Sequence, residues 1–497
     1  MDPWNDMTLE EKVGQLMMVG FTGTEPSQPL KQLLQERHVG GVILFFRNIR
    51  DGAHVSELTS QLQSLARRPL LISADQEGGS VLRVRQGASL LPSAMGLGRL
   101  GYEAVQEAAT IAGDEMRAMG INLNLAPVLD INSPENPGIG IRSYGESAEH
   151  VARMAEAYVK GIQGAGTLAC VKHFPGKGAA RLDAHLDLPK IDRSAEELRA
   201  KEYKPFVAAF AAGAAAAMTS HCVYPQLDKL PATLSSRILT GLLRDEMDFQ
   251  GILITDDMEM GAIAKYHEGA AAAVAAFAAG ADQLLICHDH ALQRSSQDAI
   301  VAALKSGQIP MSRLEKSLAR IRAAKERVGR RGDVSVAELS ERHAPKIQQL
   351  CDRISEVSRD PERRLPLTGE AVDVYWPNMS VLTMVEEGGE GEDLVRQAFQ
   401  AKFRDVSVTG YNPKEPAAVN PRAGRAAVFF SANAHLFPAQ AKLIEEVRKT
   451  SGRFVLVALR NPYDQDLVPA GETAVLSYGF LPNALKATLG VLFGQRA

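Results

Sequence analysis

The sequence predicts an α/β chain: a (β/α)8 TIM-type barrel followed by a smaller C-terminal α/β sandwich domain. Its 497 residues exceed what one hydrophobic core ordinarily organises. Apolar runs of strand length alternate with longer helical patterns, the signature of a parallel sheet covered by helices. Ionisable residues follow six of the first eight such runs, where the loops of a barrel's open face would lie.

The opening helix has a legible start, because Thr8 can cap it while Glu11, three residues on, reaches back to the cap. Strand-length runs then fall at residues 16–21, 39–45, 70–74, 121–126, 167–171, 214–219, 251–255 and 281–287. Amphipathic or Ala-rich stretches at 55–66, 104–119, 148–165, 196–212 and 235–247 are long enough for crossover helices. The most apolar window, 269–281, is bounded by Glu268 and Asp282 well short of the ~20 residues that span a bilayer. It reads as a buried helix, and no membrane partner is expected. Helical patterns at 291–305 and 312–327 precede a charged, Gly-punctuated segment, 328–333, that reads as a linker. The expected division is 1–335 for the barrel and 336–497 for the second domain. In the latter, strand patterns at 372–376, 426–430, 454–459 and 474–477 alternate with helices at 394–401 and 438–450.

A formal net charge of −4 gives no basic excess to track phosphate backbones, so nucleic acid is not an expected partner. The first ten residues are polar and acidic, without the positive start and apolar run of a secretory signal. Cys170, Cys222, Cys287 and Cys351 lie far apart, mostly after apolar runs, which suits reduced, buried thiols. Together these features predict a cytoplasmic protein.

Asp75 follows the third run, Asp130 the fourth, Lys172 and His173 the fifth, His221 the sixth, Asp256 and Asp257 the seventh, and His288 the eighth. Any one could be a solvated loop charge. Together they put acids, a lysine and histidines on one rim, and a single concave site accounts for them all. The loop that begins at Lys172 carries Gly176 and Gly178 and ends in Asp183-x-His185. An Asp two residues from a His can orient the ring and raise its pKa, making the imidazole a proton donor near neutrality. Adjacent acids on an extended backbone point different ways, so one of Asp256 and Asp257 should face the pocket. The other should brace it or cap the following helix. His288-Asp289-His290 alternates across an extended backbone without further ligands at useful spacing, so no metal or other cofactor is expected.

These residues resemble glycoside hydrolase family 3, and within it the bacterial β-N-acetylglucosaminidases that trim cell-wall fragments. The resemblance begins at Met7-Thr8-Leu9-Glu10-Glu11-Lys12-Val13-Gly14-Gln15 and includes Asp75-Gln76-Glu77-Gly78-Gly79 followed by Arg83. It continues through Arg142-Ser143-Tyr144-Gly145, then Lys172-His173-Phe174-Pro175-Gly176 with Asp183-x-His185. Leu242-Leu243-Arg244 leads to Gly251-Ile252-Leu253-Ile254-Thr255-Asp256, and Arg460-Asn461-Pro462-Tyr463-Asp464 lies in the second domain. The resemblance implies that Asp256 is the nucleophile and that His185, paired with Asp183, is the general acid/base. It also implies that Asp75, Arg83, Arg142, Lys172 and His173 hold the terminal sugar. Where these enzymes commonly read His-Phe-Pro-Gly-His-Gly, this chain has Lys177 in place of the second histidine, a departure that bears on loop electrostatics and leaving-group recognition.

The implied activity is that of a retaining exo-β-N-acetylglucosaminidase, a β-N-acetylhexosaminidase. It would release terminal β-linked GlcNAc from cell-wall muropeptides, as in peptidoglycan recycling, or from chitooligosaccharides, through a covalent glycosyl–Asp256 intermediate. Retaining glycosidases ordinarily use two carboxyl groups about 5–5.5 Å apart. Here an imidazole replaces the second, on a glycine-containing loop expected to enter the pocket after the sugar binds. A family 3 β-glucosidase is an alternative that the Asp-x-His loop disfavours. A GlcNAc phosphorylase is another, since a neutral histidine repels an anionic acceptor less than a carboxylate would. A non-catalytic sugar-binding barrel is a third, against which Asp256, Asp183 and His185 together argue.

Overall fold

The computed structural model describes residues 4, 6–182, 188–331, 334–379, 391–417 and 419–495. The eight expected runs supply barrel strands β1 (Met17–Val19), β2 (Gly41–Leu44), β3 (Leu71–Ala74), β4 (Leu123–Asn124), β5 (Leu168–Phe174), β6 (Ala216–Thr219), β7 (Ile252–Ile254) and β8 (Leu284–Ile286). They lie in the order β8-β1-β2-β3-β4-β5-β6-β7, each pairing parallel. The ring closes where Ile254 bridges Gln283 and Thr255 N donates to Gln283 O at 3.0 Å. A closed parallel sheet is covered on both faces, which is why β1, β2 and β3 are buried at every residue and read as continuous apolar runs.

Around the barrel, Gly52–Leu65, Tyr102–Ala118 and Ala148–Gly164 match the expected crossover helices. The 196–212 pattern instead forms two helices, Ala195–Ala200 and Tyr203–Ala211. They break at Glu202, which is buried with its carboxylate 3.3 Å from Arg193. The 235–247 pattern winds as a π-helix, Arg237–Glu246. The Ala-rich window is the helix Gly269–Ala279, and among the described residues no helix is long and apolar enough to cross a membrane. Thr8 caps Leu9–Gly14 as expected: its hydroxyl accepts from Glu11 N at 3.2 Å while the Glu11 carboxylate accepts from Thr8 N at 3.0 Å. The four cysteines are free and buried.

The second sheet comprises β9 (Glu356–Arg359), β10 (Ala371–Pro377), β11 (Asp405–Tyr411), β12 (Ala426–Ser431), β13 (Arg453–Ala458) and β14 (Thr473–Leu476), ordered β9-β14-β13-β12-β10-β11. The edge strand β9 runs antiparallel and the other pairings are parallel. Alternate residues serve opposite faces. Val428 and Phe430 join a core that continues into the barrel, while Ala427 and Phe429 pack with Leu443, Ile444 and Val447 of helix Pro438–Thr450. The helix Val336–Ile354, capped by Ser335, connects the two sheets, and its His343 lies 2.9 Å from the barrel residue Glu115. The C-terminal ends of β12 and β13 face the barrel loop that follows β4. There Asn132 Nδ2 donates to Tyr463 OH at 2.7 Å, Tyr463 OH also bonds Glu146, and His435 bonds Pro134 O at 3.1 Å.

Candidate active site

The C-terminal ends of the barrel strands open onto a cavity of about 400 Å3 lined by Asp75, Arg83, Arg142, Lys172, His173 and Asp256, together with Phe45, Arg47, Lys177, Asp257 and His288. Asp75 stands at the end of β3, and Glu77 lies two residues on, in the short hairpin strand Gln76–Gly78, so both carboxylates share a face. Gln76 points away and pins the hairpin, accepting from Arg83 N at 2.9 Å and Val84 N at 3.1 Å. Its own N–H donates to Asn124 Oδ1 at 3.0 Å.

On this frame sits a fixed array of charges. Lys172 Nζ donates to Asp75 at 2.6 Å and lies 2.7 Å from Glu77. Arg142 grips Glu77 through two bonds of 2.8 Å, and Arg83 reaches Asp75 at 3.3 Å. Burial alone would raise both carboxyl groups. Lys172 and Arg83 outweigh it at Asp75, which stays well below the usual carboxylate range, and Arg142 and Lys172 bring Glu77 to about 2. Burial works against the Lys172 ammonium, but the facing carboxylates of Asp75 and Glu77 raise its pKa above the ordinary value. The floor of the cavity therefore stays ionised across the physiological range.

Strand β5 runs through Lys172 and His173 to Phe174, past the end expected at residue 171. Consecutive strand residues ordinarily alternate faces, yet both line the cavity, because the register against β6 shifts between Val171 and Phe174. His173 Nδ1 pairs with Asp130 Oδ2 at 2.7 Å, and the other Asp130 oxygen accepts from Lys177 N at 2.6 Å. Burial, reinforced by the Lys177 charge, holds His173 well below the ordinary imidazole value, so the ring is neutral. Burial likewise raises Asp130. In the neutral tautomer that donates to Asp130, Nε2 of His173 faces the Asp256 carboxylate at 3.9 Å.

Asp256 is delivered by β7. Its N–H donates to Thr219 Oγ1 at 3.3 Å, and its Oδ1 accepts from Asp257 N at 2.9 Å. Asp257 lines the cavity too, whereas strict alternation predicted one acid there. Its Oδ1 is nevertheless engaged by the N–H groups of Glu259 and Cys287 at 3.2 and 3.3 Å. Burial pushes the Asp257 carboxyl up to about 7, with the charges of Glu259 and Asp256 adding to the rise. Behind it, His221 Nε2 bonds the Asp257 carbonyl at 2.9 Å.

The cavity thus brings together Asp75, Arg83, Arg142, Lys172, His173 and Asp256 of the site expected from the sequence. Asp183 and His185 lie outside the described residues. Asp130 and His221 are buried supports, and His288 stacks on Phe45 at the rim with ring centroids 5.7 Å apart. Glu77 was not singled out, although its spacing from Asp75 in an extended segment was the available signal. Phe45 and Arg47 carried none.

A sequence family described as glycosyl hydrolase family 3 N terminal domain matches residues 8–324. The chain belongs to glycoside hydrolase family 3. Within that family it is 38% identical over 289 residues to a beta-hexosaminidase of Xanthomonas oryzae pv. oryzae, a match covering 57% of this chain and 86% of the relative. A beta-hexosaminidase of Pseudomonas aeruginosa is 37% identical over 303 residues, covering 60% of this chain and 90% of that protein. Both matches are of about barrel length. The solved structure of a family 3 beta-N-acetylglucosaminidase from Paenibacillus sp. FPU-7 superposes with a TM-score of 0.90 at 37% identity, covering 99% of this chain and 97% of that one.

Proposed function

We propose that this family 3 chain is a cytoplasmic, retaining exo-β-N-acetylglucosaminidase acting on terminal β-linked GlcNAc of muropeptides or chitooligosaccharides. The observation that carries the reading is Asp256 beside an ion-paired floor of Asp75, Lys172, Arg83 and Arg142, braced by Glu77. Such a floor offers acceptors and donors to the hydroxyls and amide of a neutral sugar in fixed positions. The β-N-acetylglucosaminidase and β-hexosaminidases among its relatives support GlcNAc as that sugar.

In the proposed reaction the Asp256 carboxylate attacks the anomeric carbon and forms a glycosyl ester. His185, oriented and charged by Asp183, gives its proton to the departing oxygen. Water then donates a proton to His185 and its oxygen to the anomeric carbon, and the Asp256 carboxylate is released. His173 is unsuited to the acid's part, because burial keeps its ring neutral. It serves instead as a hydrogen-bond partner for the sugar. Residues 1–335 form the catalytic unit in this reading and 336–497 the accessory one.

A release assay comparing nitrophenyl β-GlcNAc, β-glucoside and β-GalNAc tests the assignment. Turnover of the GlcNAc compound should dominate, and equal or faster release from the glucoside would overturn it. Asp256→Ala should lose nearly all turnover. His185→Ala should spare substrates with activated phenol leaving groups, and equal loss on activated and unactivated substrates would remove the histidine from its role.

A further inference from the structure

We propose that the Lys177 ammonium is the receptor for an oxyanion, a carboxylate or phosphate, that enters the cavity together with the sugar. Lys177 lines the cavity and is only 9% exposed. Its main chain does the structural work: the N–H bonds Asp130, and the carbonyl accepts from Asn136 Nδ2 at 3.1 Å. Neither bond requires a lysine side chain.

The floor cations each have a carboxylate: Arg83 has Asp75, Arg142 has Glu77, and Lys172 has both. Among the described residues, the Lys177 ammonium makes no ion pair or hydrogen bond. Its charge instead acts across space on Asp130 and His173, the ring facing Asp256. Leaving a buried charge without a partner is costly, and an anion entering the cavity would complete the pairing.

The inference rests on the proposed GlcNAc specificity. That sugar is uncharged, so the anion arrives on the leaving group or as a separate acceptor. If phosphate is the acceptor, its oxygen bonds the anomeric carbon, the bond to Asp256 breaks, and the electron pair returns to the carboxylate. The product is then the sugar 1-phosphate rather than free GlcNAc.

The test compares carboxyphenyl β-GlcNAc with its methyl ester, with and without inorganic phosphate, in wild type, Lys177→Gln and Lys177→Arg. A ratio of kcat/KM for acid over ester that falls about tenfold in Lys177→Gln and recovers in Lys177→Arg supports an anionic leaving group. Loss in Lys177→Gln of phosphate-dependent release of the 1-phosphate supports an anionic acceptor. An unchanged ratio together with an unchanged phosphate response overturns the proposal. If wild type cleaves neither compound, the GlcNAc specificity fails, and calorimetric titration with inorganic phosphate decides the anion site alone. Binding to wild type but not to Lys177→Gln supports the site, and equal binding or none overturns it.

Discussion

The acids of the cavity respond to pH in opposite senses. Asp257 holds its proton up to about 7 in the folded protein, against about 3.9 in an unfolded chain. Its favourable contribution is complete below about pH 4 and is lost as pH rises through 7. Asp75 and Glu77 are depressed, so theirs is present above the ordinary carboxylate range and is lost on acidification towards 2. Asp257→Asn should therefore flatten the fall of Tm between about pH 4 and 7 while leaving the acid limb in place; parallel Tm profiles for variant and wild type would reject the assignment. Glu77→Gln removes the one carboxylate that Lys172 and Arg142 share. Breaking such a buried network costs about 3–5 kcal/mol, read by urea unfolding, and kcat/KM should fall at least about tenfold as Arg142 loses its anchor. Retained stability and turnover would show the network to be redundant. Asp75, Lys172 and His173, which line the cavity, were legible as cavity residues because motif and strand position agreed, and Arg83 and Arg142 by motif alone, whereas Glu77 depends on a hairpin whose sequence is too short to carry a strand pattern.

At the level of elements, legibility followed burial. The barrel strands are covered on both faces and read as unbroken apolar runs, whereas β9 and β11 are half-exposed edges without such a run and were missed. The split at Glu202 was invisible because the helical period continues through it and only the buried contact with Arg193 marks the break. Loop geometry was hidden for the same reason, and Gly178 is the sharpest instance. A Cβ there would sit 1.8 Å from the Ile131 carbonyl, so the loop holds its course only with no side chain at that position. Gly178→Ala should displace the loop, detach Lys177 N from Asp130 and unseat His173. Turnover should drop at least about tenfold. Gly164, at a helix end with open space around its Cα, is the control: Gly164→Ala should leave turnover intact and raise stability by up to about 1 kcal/mol. Equal activity in both variants would show that the close approach does not position the site.

Across the whole molecule, the sequence separated two units that the packing joins. One apolar core runs from barrel residues Leu91, Met95 and Leu97 through Leu350 and Ile354 to Leu485 and Leu489 of the last helix. Gly96 packs so closely on Ile354 that a Cβ would lie 2.8 Å from it. Polar bonds follow the same seam: Ser93 Oγ donates to Tyr478 O at 2.6 Å, Arg99 reaches Tyr478 and Glu356, and Asn483 bonds Leu90 O. Removing residues 336–497 would therefore strip an apolar face as well as a polar one. The full chain should unfold in a single calorimetric transition, because neither unit can open without exposing that shared core. A fragment ending at residue 335 should melt lower and lose turnover, since Tyr463 and His435 no longer hold the loop that leads from Asp130 to Arg142. Tyr463→Phe separates the two effects: it removes the hydroxyl joining Asn132 and Glu146 while keeping the core, so kcat/KM should fall with little change in Tm. Two resolved transitions in the full chain, with the upper one matching the isolated barrel, would show that the seam is a contact between independent domains.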